Sequence, residues 1–116
     1  MLDSAVARRT VVVVEDNADN RMLVGAILEA HYTVVPYPSG QDAILGCHGS
    51  PPDLILLDIS LPGMDGTQVL YALRADPALA GVPVIALTAD AMPGSRERYL
   101  AMGFDDYIAK PILHAQ

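Results

Sequence analysis

The chain has little cysteine, little positive charge and no long apolar run. Its 116 residues include one cysteine, Cys47, which excludes a disulfide framework and a cysteine-built zinc site. Only 7 bases face 14 acids, for a formal net charge of −7. A field of that sign repels phosphate backbones and anionic membranes, so no direct nucleic-acid or membrane contact is expected. No apolar stretch approaches the roughly 18 residues of a membrane helix, and Met1–Arg9 lacks the apolar segment of a secretory signal. No repeat, low-complexity tract or linker interrupts the sequence.

What is present is apolar side chain, 52% of residues against 18% charged, which excludes disorder. A chain of this length buries roughly two-thirds of its unfolded surface, enough for one core without staples. One cytoplasmic domain over residues 10–116 is expected, behind a lead of residues 1–9.

Val11-Val12-Val13-Val14 is a β-branched run of the kind buried on both faces of a parallel sheet. Asn17 or Asp19 can cap the next helix, whose inward stripe is read as Met22, Leu23, Ala26, Ile27 and Ala30. Thr33–Tyr37 is a second strand, held to an edge by Pro36. Ser39 with Asp42 resembles a capping box, opening a helix expected to stop near Gly46.

Leu54–Leu57 is a third strand, and Val69, Leu70 and Leu73 mark a helix broken at Asp76-Pro77. Val82–Leu87 is a fourth strand. Pro93 is read as the first residue of a charged helix over Ser95–Met102, ended by Gly103. Tyr107–Ala109 is a fifth strand, and 112–116 is at most one helical turn. The alternation gives an α/β fold, a doubly wound parallel sheet.

Ligands of such sheets sit beyond the carboxyl ends of the strands. Here those ends carry Glu15-Asp16, Asp58, Thr88 and Lys110, the chain's one lysine. Three carboxylates and an ammonium leave a formal charge of −2. Clustered carboxylates repel one another unless a proton or cation relieves them. Hard oxygen ligands in an incomplete cage suit Mg²⁺. Each residue alone has a blander reading: a helix N-terminal anion pair, a loop cap, a packing threonine, a solvated lysine. Their coincidence at four strand ends is what points to a site. Cys47 is read as an inert thiol, and His31, His48 and His114 as surface residues without metal-ligand spacing.

The segments Val11–Asn17 (VVVVEDN), Leu54–Pro62 (LILLDISLP), Val84–Ala89 (VIALTA) and Asp105–Pro111 (DDYIAKP) resemble the receiver domain of two-component response regulators. The resemblance covers nearly the whole chain and is greatest to cell-cycle-type single-domain regulators and hybrid histidine kinase receivers. It implies a flavodoxin-like five-stranded sheet of order 2-1-3-4-5. It implies Asp58 as phosphoacceptor from a sensor histidine kinase or histidine phosphotransfer protein. Asp16, Asp58 and the Ser60 carbonyl would bind Mg²⁺ directly, and Glu15 through water. Lys110 and Thr88 would contact phosphoryl oxygens, Tyr107 would turn inward behind Thr88, and Pro111 would aim Lys110. Ser60 and Asp90 occupy the positions that tune acyl-phosphate lifetime.

Three alternatives stay open. A dinucleotide-binding domain needs a glycine-rich first turn where this chain has Glu15-Asp16-Asn17. A haloacid-dehalogenase-type phosphatase needs an acid where Ser60 stands. A receiver serving only as an interaction module would not need the intact acceptor set. Only five residues follow Pro111 where the family has a full fifth helix, so Ile85, Leu87 and Ile108 are expected beside an uncovered face. The chain is then either a shortened form of a longer receiver or pairs with a second copy.

Overall fold

The computed structural model describes residues 9–59, 66–88 and 93–109. Strands β1 (Thr10–Val14), β2 (Thr33–Tyr37), β3 (Leu54–Asp58), β4 (Val84–Thr88) and β5 (Asp106–Ala109) alternate with helices α1 (Ala18–Leu28), α2 (Gly40–Gly49), α3 (Gly66–Ala75) and α4 (Ser95–Met102). All pairings are parallel, and the strand order is β2-β1-β3-β4-β5. This is the order that the family resemblance implies. The stub at 112–116 lies outside the described residues.

The continuous apolar strands are buried on both faces, as their composition requires. Val12, Val14, Ile55, Leu57 and Ala86 pack under α2, α3 and α4 with Val69, Leu70 and Tyr99. Val11, Val13, Leu56 and Leu87 point the other way, onto Val24 of α1. Burial of that many apolar side chains, at about 1.5–3 kcal/mol each, is what the fold rests on. β2 is an edge strand, so Pro36, opposite Val13, withholds no sheet hydrogen bond.

Several details differ from the sequence reading. Helix α1 buries Val24, with Leu28 packed behind it, while Met22 is 72% exposed and Leu23 36%. Its apolar residues form more than one possible stripe, and contact with Val11 and Val13 selects the 24/28 pair. Ala30 lies past the helix end. Helix α2 runs through Gly46 to Gly49. Gly46 is not a cap: a Cβ there would meet the Tyr37 ring, so glycine permits a close approach.

Strand β4 begins two residues later than expected. The Val82 N–H donates to Leu79 O, and its carbonyl accepts from Arg74 Nη1 at 2.6 Å, so the preceding turn consumes its backbone groups. Pro93 precedes the helix instead of opening it, because Gly94 is the N-cap with φ 87°. Leu87 is fully buried in the α1-side cluster, and Ile85 is half-buried, which leaves Ile108, 37% exposed, from the expected uncovered face.

Arg74 straps the amino edge together. Besides Val82 O, its guanidinium donates to Asp105 Oδ2 at 2.9 Å and Gly103 O at 3.3 Å. Asp105 Oδ2 also accepts the Val84 N–H at 2.8 Å.

Candidate functional site

Parallel strands put all carboxyl ends on one edge, and strand order reverses between β1 and β3. Glu15 and Asp16 leave β1 at that point, and Asp58 closes β3 beside them. One carboxylate oxygen from each of the three lies within 4.8 Å of the others. Glu15 and Asp58 are each 1% exposed, and Asp16 is open to solvent. Asp58 registers opposite Leu87, which places Thr88 one residue further along the same edge. Thr88 is 2% exposed.

The loop after β1 is held from several sides. The Glu15 N–H donates to Tyr37 O at 3.1 Å, and its Oε2 accepts the Asn17 N–H at 3.2 Å. Asn17 caps α1, accepting the Asn20 N–H at 2.9 Å. Arg21 Nη1 donates to the carbonyls of Glu15 at 2.9 Å and Asp16 at 3.2 Å. Sequence reasoning missed Arg21. A cation in the first turns of a helix opposes the macrodipole, and that was a legible sign of a local partner.

The other wall depends on Gly66. Its N–H donates to Ile59 O at 3.2 Å, and a Cβ there would stand 2.6 Å from the Ile59 Cα. Only glycine lets α3 start this close to the residue after Asp58.

Thr88 has a partner that the sequence reading did not foresee. Its Oγ1 lies 2.9 Å from the Tyr99 hydroxyl of α4, in a buried contact. The Tyr99 ring meets Phe104 edge-on at 6.2 Å and Tyr107 at 5.6 Å. Tyr107 itself is half-buried on β5. An aromatic four residues after Ser95 in an otherwise charged helix was the available signal; those two are the residues α4 buries.

Groups away from this edge keep the roles expected of them. Cys47 is 1% exposed, and burial pushes its thiol up to about 11, so it is no nucleophile near neutrality. His48 is a surface residue, with Nδ1 2.6 Å from Asp76 Oδ2. That ring, with the Ala78 N–H, holds the Asp76 carboxyl below the usual carboxylate range. His31 is exposed beside Tyr32. Ser60, Asp90, Lys110, Pro111 and His114 lie outside the described residues.

The donors gathered here are all oxygens, which excludes soft-metal chemistry and suits a hard cation. Three carboxylate oxygens within 4.8 Å of one another are close enough to share one hard cation, and three protein ligands leave positions for water. The carboxylates fit the cofactor expected from the sequence. Among the described residues no helix is long and apolar enough to cross a membrane.

Residues 11–116 match the sequence profile of the response regulator receiver domain. The polar-differentiation response regulator DivK of Brucella ovis is 42% identical over 105 residues, covering 90% of this chain and 85% of DivK. The signal transduction histidine-protein kinase BarA of Escherichia coli K12 is 41% identical over 111 residues, 95% of this chain. The chain spans only 12% of BarA's length. Among solved structures, the receiver domain of sensor histidine kinase PA1611 from Pseudomonas aeruginosa superposes with a TM-score of 0.82 at 37% identity. The match covers 94% of this chain and 90% of that one, which holds a magnesium ion coordinated in its active site cleft. Chemotaxis protein CheY4 of Vibrio cholerae superposes with a TM-score of 0.85 at 25% identity, over 94% and 92% of the two chains.

Proposed function

The chain belongs to the response regulator receiver domain family of two-component signalling, and on that membership we propose that Asp58 is its phosphoacceptor. The observation that carries the reading is the Glu15, Asp16 and Asp58 cluster at the reversal point of the sheet. Membership also replaces the dinucleotide-binding and phosphatase alternatives.

An Asp58 carboxylate oxygen attacks the phosphorus of a phosphohistidine. The O–P bond forms as the P–N bond breaks, and the imidazole departs with the electron pair and takes up a proton. Water later cleaves the acyl phosphate, returning the carboxylate and inorganic phosphate. The chain acts on itself alone in this scheme and is no enzyme toward other molecules.

In phosphoryl transfer a protein mainly positions groups and neutralises charge on the equatorial oxygens. Asp16, Asp58 and the Ser60 carbonyl would hold Mg²⁺, with Glu15 acting through water. Bound Mg²⁺ would supply positive charge against the phosphoryl oxygens; the magnesium ion coordinated in the PA1611 cleft supports a metal site here. Lys110, which the family resemblance has Pro111 aim, and the Thr88 hydroxyl would approach two further oxygens. The added charge of about −1.5 to −2 favours the state with Thr88 drawn toward Asp58 and Tyr107 turned inward.

The donor we propose is a sensor histidine kinase or a histidine phosphotransfer protein in the cytoplasm. We place the domain at residues 10–116.

Intact mass after incubation with acetyl phosphate and Mg²⁺ tests this. Wild-type protein gains one phosphoryl group, and Asp58→Asn gains none. Equal incorporation in both would remove Asp58 as acceptor.

A further inference from the structure

We propose that Tyr99 is the positioning residue of the Thr88 switch, a latch that holds the Thr88 hydroxyl at rest and hands its release to α4. This rests on the preceding reading, in which Thr88 moves toward a phosphorylated Asp58.

The Tyr99 hydroxyl and Thr88 Oγ1 are 2.9 Å apart, and both residues are 2% exposed. Arg98 Nη2 lies 3.4 Å from the same Tyr99 oxygen, with its guanidinium carbon 5.1 Å from the ring centroid. A guanidinium only donates, so the Tyr99 oxygen accepts from Arg98, while either hydroxyl can donate in its bond with Thr88. The ring cannot turn to follow Thr88. It stands edge-on to Phe104, lies against Tyr107, and belongs to the core under α3.

When Thr88 leaves, the Tyr99 hydroxyl loses its buried partner at 2.9 Å and keeps only the longer Arg98 contact at 3.4 Å, a costly exchange. The hydroxyl regains a partner when α4 shifts and opens it to water. The Tyr107 ring lies against the Tyr99 ring, their centroids 5.6 Å apart, so a turn of Tyr107 is felt at Tyr99. Withdrawal of Thr88 therefore reads out on α4 and β5 together, with Tyr99 between them.

Tyr99→Phe keeps the ring and removes the latch. The test measures beryllofluoride affinity in the presence of Mg²⁺ for wild type, Tyr99→Phe, Thr88→Val and the double variant. We expect Tyr99→Phe to bind beryllofluoride about fivefold tighter, the equivalent of one neutral hydrogen bond, with unchanged Mg²⁺ affinity. In the Thr88→Val background Tyr99→Phe has no effect, a non-additivity that a purely structural role would not produce. Wild-type protein that binds no beryllofluoride overturns both this inference and the reading beneath it. Binding by wild type with equal affinity in Tyr99→Phe overturns the latch alone.

Should Tyr99→Phe fail to fold, fluorine NMR of wild-type protein labelled with 3-fluorotyrosine gives a second answer. The Tyr99 signal is identified by removing the other four of the five tyrosines one at a time. A shift of that signal on adding beryllofluoride supports the latch, and an unmoved signal overturns it.

Discussion

Arg21 donates from Nη1 to the Glu15 carbonyl at 2.9 Å, so the helix that follows the acidic loop also fastens it. A charge-assisted hydrogen bond contributes about 1.5–3 kcal/mol, more than the screened repulsion of one half-buried guanidinium toward a cation. Arg21→Ala is therefore expected to lose about 2 kcal/mol of stability and several-fold in Mg²⁺ affinity. Urea titration and a metal titration check the two effects. Tighter Mg²⁺ binding in the variant would mean that charge, not loop order, dominates.

Mg²⁺ should stabilise the native state, because it relieves three clustered carboxylates. At a hundredfold excess over Kd the gain is about 2.7 kcal/mol, which is on the order of 10 °C in Tm. EDTA should reverse it, and Asp16→Asn should reduce it. Identical melts with and without millimolar Mg²⁺ would speak against these ligands.

Gly66→Ala should cost about 2 kcal/mol, since the new methyl is driven against Ile59 backbone and the neighbour cannot yield as a side chain would. Mg²⁺ affinity should fall with it, because Ile59 follows Asp58. Gly81→Ala is the control: nothing lies within 4 Å of a Cβ there. Equal melting curves for the two variants would refute the account.

Cys47 fixes an alkaline limit. Its thiol is raised in the folded state from 9.0 to about 11, so the protonated form favours the native chain. That contribution is complete below pH 9 and is lost as pH rises toward 11, amounting to about 3 kcal/mol. Cys47→Ala should flatten the stability profile over that window. A wild-type slope in the variant would assign the loss to other groups.

The strands and the acidic edge were legible because strands buried on both faces are written as unbroken apolar runs, whereas the strand order came from the family resemblance. The first acid or hydroxyl after each run then marks a strand end, which is how Asp58 and Thr88 stood out. The Arg21 contacts were harder to read, since a backbone carbonyl has no identity in sequence. Tyr99 was missed because its meaning lies in a ring held between α4 and β5. The stripe of α1 was misread because Met22 and Leu23 are as apolar as Val24, and only the facing strand distinguishes them. Gly46 looked like a stop when its purpose is room for the Tyr37 ring.

The Arg74 strap gives α4 a fulcrum. Arg74 grips the Gly103 carbonyl, and Gly103, at φ 112°, is where the chain can swivel. At about 1.5 Å per residue, Tyr99 lies about 6 Å from that point and the Gly94 end about 13 Å. Any push at Tyr99 is then roughly doubled in travel at the far tip. Hydrogen exchange on adding beryllofluoride should accordingly rise most in the first turn of α4 and least at Gly103; a uniform rise would mean the helix moves as a raft. A lever of this kind trades force for distance, so a partner reading the Gly94 end would sense a large displacement that it could easily resist.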